Sequence, residues 1–220
     1  MNWLTRLLKS EEDPAYEPGP APPVDPELER DHAQILADLV EAGLVIGDLG
    51  DLMQDMDYRE QVPILAGWLG RTENLVLKDL LVRSLSVPWA KPAADALLAE
   101  LGRFDLPWEY RWQVGNALYE LKDRSLGERL VPLLEDPRQD RGAEMALIAL
   151  GRTKYPPALD VLVAKLQDPG VVGHAADGLG QLGDPAAIPA LERVEDDRDW
   201  VRSEVARAIR KLEKQRGAAT

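Results

Sequence analysis

The sequence predicts an all-α protein built as a solenoid of paired antiparallel helices. Similar helical segments recur about every 30 residues, and no segment alternates apolar and polar residues with the period of two that is typical of a strand. The residues that close the recurring segments are 33, 32, 29 and 30 positions apart, namely Leu85, Leu118, Leu150, Leu179 and Ile209. A period of this length with helical spacing inside it indicates helix pairs that stack on their neighbours.

Each repeat is predicted to contain two helices. The recurring segments begin at Val76, Tyr110, Gly142, Val171 and Val201. Partner helices are predicted between them at 92–103, 125–136, 156–168 and 185–196, with prolines near their starts, where a missing N–H is tolerated. Small residues precede the closing positions, namely Ala117, Ala149, Gly178 and Ala208. We expect these small side chains to let neighbouring helices approach closely.

The N-terminal region differs from the repeats. Residues 1–9 predict a short amphipathic helix with Trp3, Leu4, Leu7 and Leu8 on one face. Residues 10–26 predict an acidic, proline-rich, disordered linker, because six of the 17 prolines lie within residues 1–26. The helix either packs on the body of the protein or docks on a partner or a membrane surface. The chain has no apolar run long enough to span a membrane.

Residues 27–71 predict a divergent N-terminal capping repeat, and residues 72–216 predict the regular repeats. The capping repeat begins with a helix whose apolar side chains are Leu28, Ile35, Leu36, Leu39 and Val40. A second amphipathic helix is predicted over 58–69.

The net charge of −13 is unevenly distributed. Residues 27–60 carry ten acidic and two basic groups, whereas residues 198–216 carry seven basic and three acidic groups. The solenoid is therefore predicted to be acidic at its first end and basic at its last. The acidic balance argues against a nucleic-acid partner.

The repeats resemble HEAT-like repeats. The pattern D-x-x-V-R-x-x-A-x-x-A-L, followed by G-x-x-x-x-x-A-[IL]-x-x-L, fits residues 168–212 best, and it is similar to the short type first described in phycobilisome lyases. The resemblance implies a right-handed α-solenoid of about five HEAT-like helix pairs in a bacterial protein. It also implies that a basic residue after the first apolar position pairs with an Asp between repeats. Lys78, Arg111 and Arg202 match that position.

No group of residues predicts catalysis, a cofactor or a metal. The absence of cysteine excludes disulfides, thiolate ligands and a thiol nucleophile, and neither His32 nor His174 has a carboxylate at metal-binding spacing. Gly178, Gly180 and Gly183 follow a helix rather than a strand, which favours a helix end with close packing over a dinucleotide-binding loop. These observations favour binding over catalysis.

A row of side chains along the predicted inner groove is the candidate binding site. Trp108, Trp112 and Tyr119 form a stripe on the predicted helix 108–121. Its core face is predicted to contain Tyr110, Val114, Ala117, Leu118 and Leu121. Either Trp112 fills space between repeats, or Trp112 and Tyr119 anchor a partner. In HEAT-like solenoids the helix with the apolar–basic pattern lines the concave side, so the third, sixth and tenth residues after its first apolar position are expected to be exposed. The candidate residues are Arg83, Trp112, Asn116, Tyr119, Met145, Arg152, His174 and Gln181.

Three functions are compatible with this pattern. The first is a non-catalytic scaffold that binds a partner protein or peptide in the groove, with the N-terminal helix as a second contact. The second is a bilin-lyase-like subunit or chaperone that handles a chromophore, and the third is a HEAT-like DNA glycosylase with Trp112 and Asp177 in the site. Because no signal or spanning segment is recognised, the expected location is the cytoplasm.

Overall fold

The computed structural model describes residues 25–54 and 56–218. The predicted helix 1–9 and all but the last two residues of the predicted linker lie outside this part of the chain. The described residues form eleven α-helices and six short 3₁₀ turns and contain no strand. The prediction of an all-α fold is therefore confirmed, with these helices: α1 Pro26–Glu41, α2 Val62–Leu69, α3 Leu75–Ser84, α4 Ala94–Leu101, α5 Trp108–Glu120, α6 Gly127–Glu135, α7 Glu144–Thr153, α8 Ala158–Lys165, α9 Val172–Leu182, α10 Ile188–Leu191 and α11 Asp199–Ala218.

The helices fall into two compact units, which divide between Ser84 and Leu85. The first unit contains α1, α2 and α3, and the second contains α4 to α11. After α1, consecutive helices pack as pairs, one in the first unit and four in the second. The packing of neighbouring helices in pairs that a HEAT-like helical solenoid predicts is confirmed within each unit, and the handedness of the superhelix stays a prediction.

In the first unit, α1 buries a narrow apolar face. The carboxylate of Asp25 accepts a hydrogen bond from the N–H of Glu27 and caps the start of the helix. Leu28, Ile35 and Leu39 are buried, whereas the apolar side chain of Val40 is 49% exposed. Residues 28, 35 and 39 follow the helical repeat of 3.6, whereas residue 40 lies 100° further round the helix.

The phenol of Tyr58 anchors the turn before α2. This side chain is buried, and its hydroxyl donates a hydrogen bond of 2.6 Å to the backbone carbonyl of Ser84 at the end of α3. Burial raises the pKa of Tyr58 to about 12, since it disfavours the phenolate. The predicted helix over 58–69 is therefore confirmed as a 3₁₀ turn, Arg59–Gln61, followed by α2.

In the second unit, the predicted partner helices begin with 3₁₀ turns or bends and are shorter than expected. Asp123 and Asp184 cap two of these turns, and Asp140 caps the similar turn before α7; each accepts a hydrogen bond of 2.8–2.9 Å from the N–H two residues later. A 3₁₀ segment forms the first turn at each of these positions, so the regular α-helix starts two or three residues later than predicted.

The four longer helices of the second unit, α5, α7, α9 and α11, pack side by side in chain order and are called the helix row below. Small residues form the contacts within this row. Gly115 lies against the backbone of Ala146, Gly151 against Gly178, and Gly180 against Ala208. A Cβ built on Gly151 would lie 1.9 Å from the carbonyl oxygen of Gly178. The predicted close approach at Gly178 and Ala208 is confirmed.

The three glycines of the GLGQLG segment have two different roles. Gly178 and Gly180 lie inside α9, where they pack on the neighbouring helices of the row. Gly183 ends α9 with φ of 79°, a left-handed conformation that glycine adopts without strain. The prediction of close packing and a helix end is confirmed, although the helix ends five residues later than Gly178.

The basic position after the first apolar residue behaves differently in each repeat. Arg111 on α5 pairs with Asp140 before α7 at 2.5 Å, as the resemblance implied. The ammonium of Lys78 is buried and donates to the carbonyl of Leu69 at 3.0 Å. Arg202 pairs with Asp199 on its own helix rather than with a neighbouring repeat. Among these residues, Arg111 shows the inter-repeat ion pair that the resemblance implied.

Candidate binding surface

Seven of the eight predicted site residues lie on the helix row, and all seven are partly exposed. The list is Trp112, Asn116 and Tyr119 on α5, Met145 and Arg152 on α7, and His174 and Gln181 on α9. These seven residues are called the row face below. Arg83 lies on α3 in the first unit, where it pairs with Asp79 at 2.8 Å, so it is not part of the helix row. The role of the row face in binding stays a prediction.

The periodic rule for exposed positions fails at two apolar residues. Leu80 and Ile148 occupy the third and sixth positions of their helices and are both buried. The polar residues at the equivalent positions, such as Gln113 and Asn116, are partly exposed. An apolar side chain gains free energy from being covered by its neighbours, whereas a polar one keeps contact with water.

Packing of α5 separates its core from the row face as predicted. Tyr110, Val114, Ala117, Leu118 and Leu121 are buried. The phenol of Tyr110 donates a hydrogen bond of 2.7 Å to the carboxylate of Glu100 on α4. The stripe of Trp108, Trp112 and Tyr119 lies on the partly exposed side.

Contacts between helices hold several side chains of the row face in place. The guanidinium of Arg152 lies over the ring of Tyr119, 4.5 Å from its centroid. The amide of Gln181 donates to Asp177 at 3.3 Å and accepts from the ammonium of Lys211 at 3.4 Å. Cation–π contacts of this kind stabilise a pair by about 0.5–1 kcal/mol at exposed sites. The row face therefore presents polar and aromatic groups whose positions are already restricted.

His174 lies at the centre of the row face among charged groups from three helices. Its Nε2 is 3.7 Å from a carboxylate oxygen of Glu144 on α7, and its ring contacts that of Trp200 on α11 at 5.6 Å between centroids. Burial lowers the pKa of His174 below its ordinary value of 6.5. The nearby carboxylates of Glu144, Asp177 and Glu204 oppose this shift, and Arg141 adds to it.

The sequence did not single out three side chains that complete this part of the surface. Glu144 is buried, Arg141 bonds its carboxylate at 3.2 Å, and the guanidinium of Arg141 lies 4.3 Å from the ring centroid of Trp108. Trp200 covers His174 and is 45% exposed. A Cβ on Gly173 would clash with the ring of Trp200, so a glycine is needed immediately before His174. In the sequence, this glycine is the sign that a large side chain packs beside His174.

The pH dependence of stability tests the environment of His174. The pKa of His174 is below 6.5 in the folded chain and near 6.5 in the unfolded chain. As the pH falls below 6.5, the unfolded chain therefore takes up a proton at this residue before the folded chain does, and this favours unfolding. We expect the free energy of unfolding of the wild type to decrease from pH 7.5 to pH 5, by up to about 1.4 kcal/mol for each unit of pKa difference. The His174→Gln variant should lose less stability over that range in urea titrations.

His32 provides the parallel variant for this measurement. Burial also lowers the pKa of His32, which lies 3.7 Å from Asp48 in the first unit. The His32→Gln variant should therefore remove a separate part of the same pH dependence. Equal pH slopes for the wild type and His174→Gln would contradict the assigned environment of His174.

The carboxylate that a glycosylase would need is already engaged by protein groups. Asp177 lies 3.3 Å from the guanidinium of Arg207 and accepts the hydrogen bond from Gln181.

Within residues 25–54 and 56–218, no three His, Asp or Glu side chains are grouped so that they could hold a metal ion. None of the helices in the described part of the chain combines the length and apolarity needed to cross a bilayer.

Part of the second unit matches a known protein family. Residues 141–210 match the family described as HEAT repeats. The matched range runs from the turn before α7 into α11, so it contains α7, α9 and the first part of α11. A comparison with curated proteins finds no match. The prediction of HEAT-like repeats is confirmed for this range, and the phycobilisome-lyase type and the bacterial source stay predictions.

Proposed function

We propose that this chain is a non-catalytic interaction module that binds a partner protein or peptide along the row face. HEAT repeats are commonly protein-interaction scaffolds, and a HEAT-repeat segment carries much of this surface. The single observation that supports the proposal best is the row itself. Three consecutive helices present partly exposed aromatic, amide and charged side chains at related positions.

The chemistry of the row face suits a protein ligand. Trp112 and Tyr119 offer large apolar areas, and residues of these types dominate binding energy at interfaces. Asn116 and Gln181 offer amide groups that can bond an extended backbone. Since the Arg152–Tyr119 and Gln181–Lys211 contacts already restrict their side chains, less conformational entropy is lost on binding.

A capture experiment with matched variants tests the proposal. The tagged full chain would be used to capture proteins from the native cell, and partners identified by mass spectrometry would be measured with the purified chain. We expect the triple variant Trp112→Ala, Asn116→Ala and His174→Ala to bind at least about tenfold more weakly, since one aromatic anchor alone contributes about 2 kcal/mol.

The control is a triple alanine variant at residues outside the helix row of the second unit. Glu128, Asp160 and Gln167 are exposed and lie in or after α6 and α8, away from the helix row. The control triple variant should bind like the wild type. Unchanged binding by the row-face variant, with circular dichroism and melting like those of the wild type, would refute the proposal.

A further inference from the structure

Four cations collect at the end of the helix row where α7 and α9 finish. They come from the turn before α6, the last turn of α7, the residue after it and the exposed side of α11. These residues are Arg124, Arg152, Lys154 and Lys211, which are called the basic rim below.

Contacts with the helix row fix the positions of three of these cations. The ammonium of Lys154 donates to the backbone carbonyls of Gln181 and Leu182 at the end of α9, the second at 3.2 Å. The helix end carries partial negative charge, which favours a cation there. Lys211 reaches the side-chain oxygen of Gln181 at 3.4 Å, and Arg152 lies over Tyr119.

The basic rim has no carboxylate partner of its own. Within the part of the chain that the structure describes, none of the four cations forms an ion pair, whereas Arg141, Arg198 and Arg207 each do. Burial and the nearby charges of Lys211 and Arg124 lower the pKa of Lys154. Lys154 and Lys211 both contact Gln181, so their charges lie on the same part of the surface, and an anion between them would offset their mutual repulsion.

We propose that the basic rim binds carboxylates of an acidic segment in the partner protein, beside the aromatic and amide groups of the row face. This inference rests on the proposed function and adds that the bound segment of the partner is acidic. The unpaired cations adjoin Tyr119 and Gln181, so one extended segment can place acidic side chains on the rim while its backbone and apolar groups contact the row face.

An acidic peptide suits this surface better than a nucleic acid does. The rim has only four cations, and the carboxylates of Asp177 and Glu204 lie on the same helix row. The whole chain carries a net charge of −13, which repels any anion, and this repulsion grows with the number of charges on the ligand. A short segment with a few carboxylates is therefore repelled less than a polymer with one phosphate per nucleotide.

A fluorescein-labelled hexaglutamate peptide serves as the probe with the full-length chain. We expect its fluorescence anisotropy to rise on titration at about 20 mM salt and the affinity to fall about tenfold or more at about 300 mM salt. The Lys154→Glu/Lys211→Glu variant should bind at least about tenfold more weakly. Arg152→Glu/Lys211→Glu, which leaves the hydrogen bonds of Lys154 intact, should show the same loss.

A variant with the same change in net charge provides the control. Lys165→Glu/Arg193→Glu alters two cations that lie outside the rim and the helix row, and it should bind the probe like the wild type. Equal loss in this control, or no binding by the wild type at low salt, would overturn the proposal. Tighter binding of a twelve-nucleotide single-stranded DNA than of the peptide would overturn it in favour of a nucleic acid.

Two further outcomes separate this inference from the proposed function. If a captured partner depends on Trp112, Asn116 and His174 but not on the rim cations, the proposed function stands and the acidic ligand is refuted. If the chain self-associates at low salt in sedimentation velocity and rim variants abolish this, the rim binds a second copy and the proposal is wrong.

Discussion

Replacing Gly151 by alanine is expected to lower the free energy of unfolding of the second unit by at least about 3 kcal/mol. The added Cβ would lie 1.9 Å from the carbonyl oxygen of Gly178 and 2.6 Å from its carbonyl carbon. Both atoms belong to the backbone of α9, so no side-chain rotation can relieve the contact. Helices α7 and α9 would have to separate, and the packing of the helix row on both sides would suffer.

The other glycines of the row predict a graded series. A Cβ on Gly178 or Gly115 would lie 2.7 or 2.8 Å from the nearest backbone atom of the neighbouring helix, and one on Gly180 would lie 3.3 Å from Ala208. We therefore expect the loss of stability on substitution by alanine to decrease in the order Gly151, Gly178 and Gly115, then Gly180. Urea unfolding followed by circular dichroism measures each value.

Gly217 is the matched control for this series. It lies in the exposed last turn of α11, and a Cβ there would meet nothing within 4 Å. Alanine has the higher helix propensity, so Gly217→Ala should be neutral or stabilise the protein by up to about 1 kcal/mol. A Gly151→Ala variant as stable as Gly217→Ala would show that α7 and α9 do not approach as closely as described.

Much of the fold could be predicted from the sequence, because stacked helix pairs need apolar and small residues at positions that recur about every 30 residues. The spacing of the closing residues predicted the helix row, and two of the small residues before them, Gly178 and Ala208, lie where its helices approach closely. The core face of α5 was also predicted in full, since helical periodicity alone separates Tyr110 and Val114 from Trp112. These features depend on residues within a single helix.

Features that depend on two or more helices could not be predicted in the same way. The surroundings of His174 combine Arg141 from a 3₁₀ turn, Glu144 from α7 and Trp200 from α11. The rotation of each helix about its own axis decides whether these groups meet, and the short 3₁₀ turns change that rotation by amounts that periodicity does not show. The basic rim has the same origin, because its cations come from three separate segments.

Replacing Arg111 by methionine is expected to lower the free energy of unfolding by about 2–4 kcal/mol. The guanidinium is almost fully buried, pairs with Asp140 at 2.5 Å and donates to the side-chain oxygen of Gln139 at 3.3 Å. Asp140 also caps the turn before α7 through the N–H of Gly142. Methionine fills a similar volume but offers no donor, so the buried amide of Gln139 loses a partner.

Arg138 supplies a control on the same aromatic ring. Its guanidinium lies 4.2 Å from the ring centroid of Phe104, and that of Arg111 lies 5.3 Å from it. Arg138 also forms an ion pair, with Asp136 at 2.7 Å, but it is exposed. The Arg138→Met variant should therefore destabilise the protein much less than Arg111→Met does, and added salt should reduce its effect further.

The two variants together separate burial from charge. Both remove one positive charge and one contact with Phe104, so the difference between their free energies of unfolding reports the buried ion pair and its link to the turn before α7. Because Asp140 joins α5 to the start of α7, loss of Arg111 should also increase hydrogen exchange at the N–H groups of the turn Arg141–Ala143. Equal destabilisation by the two variants, with equal exchange at this turn, would mean that the ion pair does not connect neighbouring repeats.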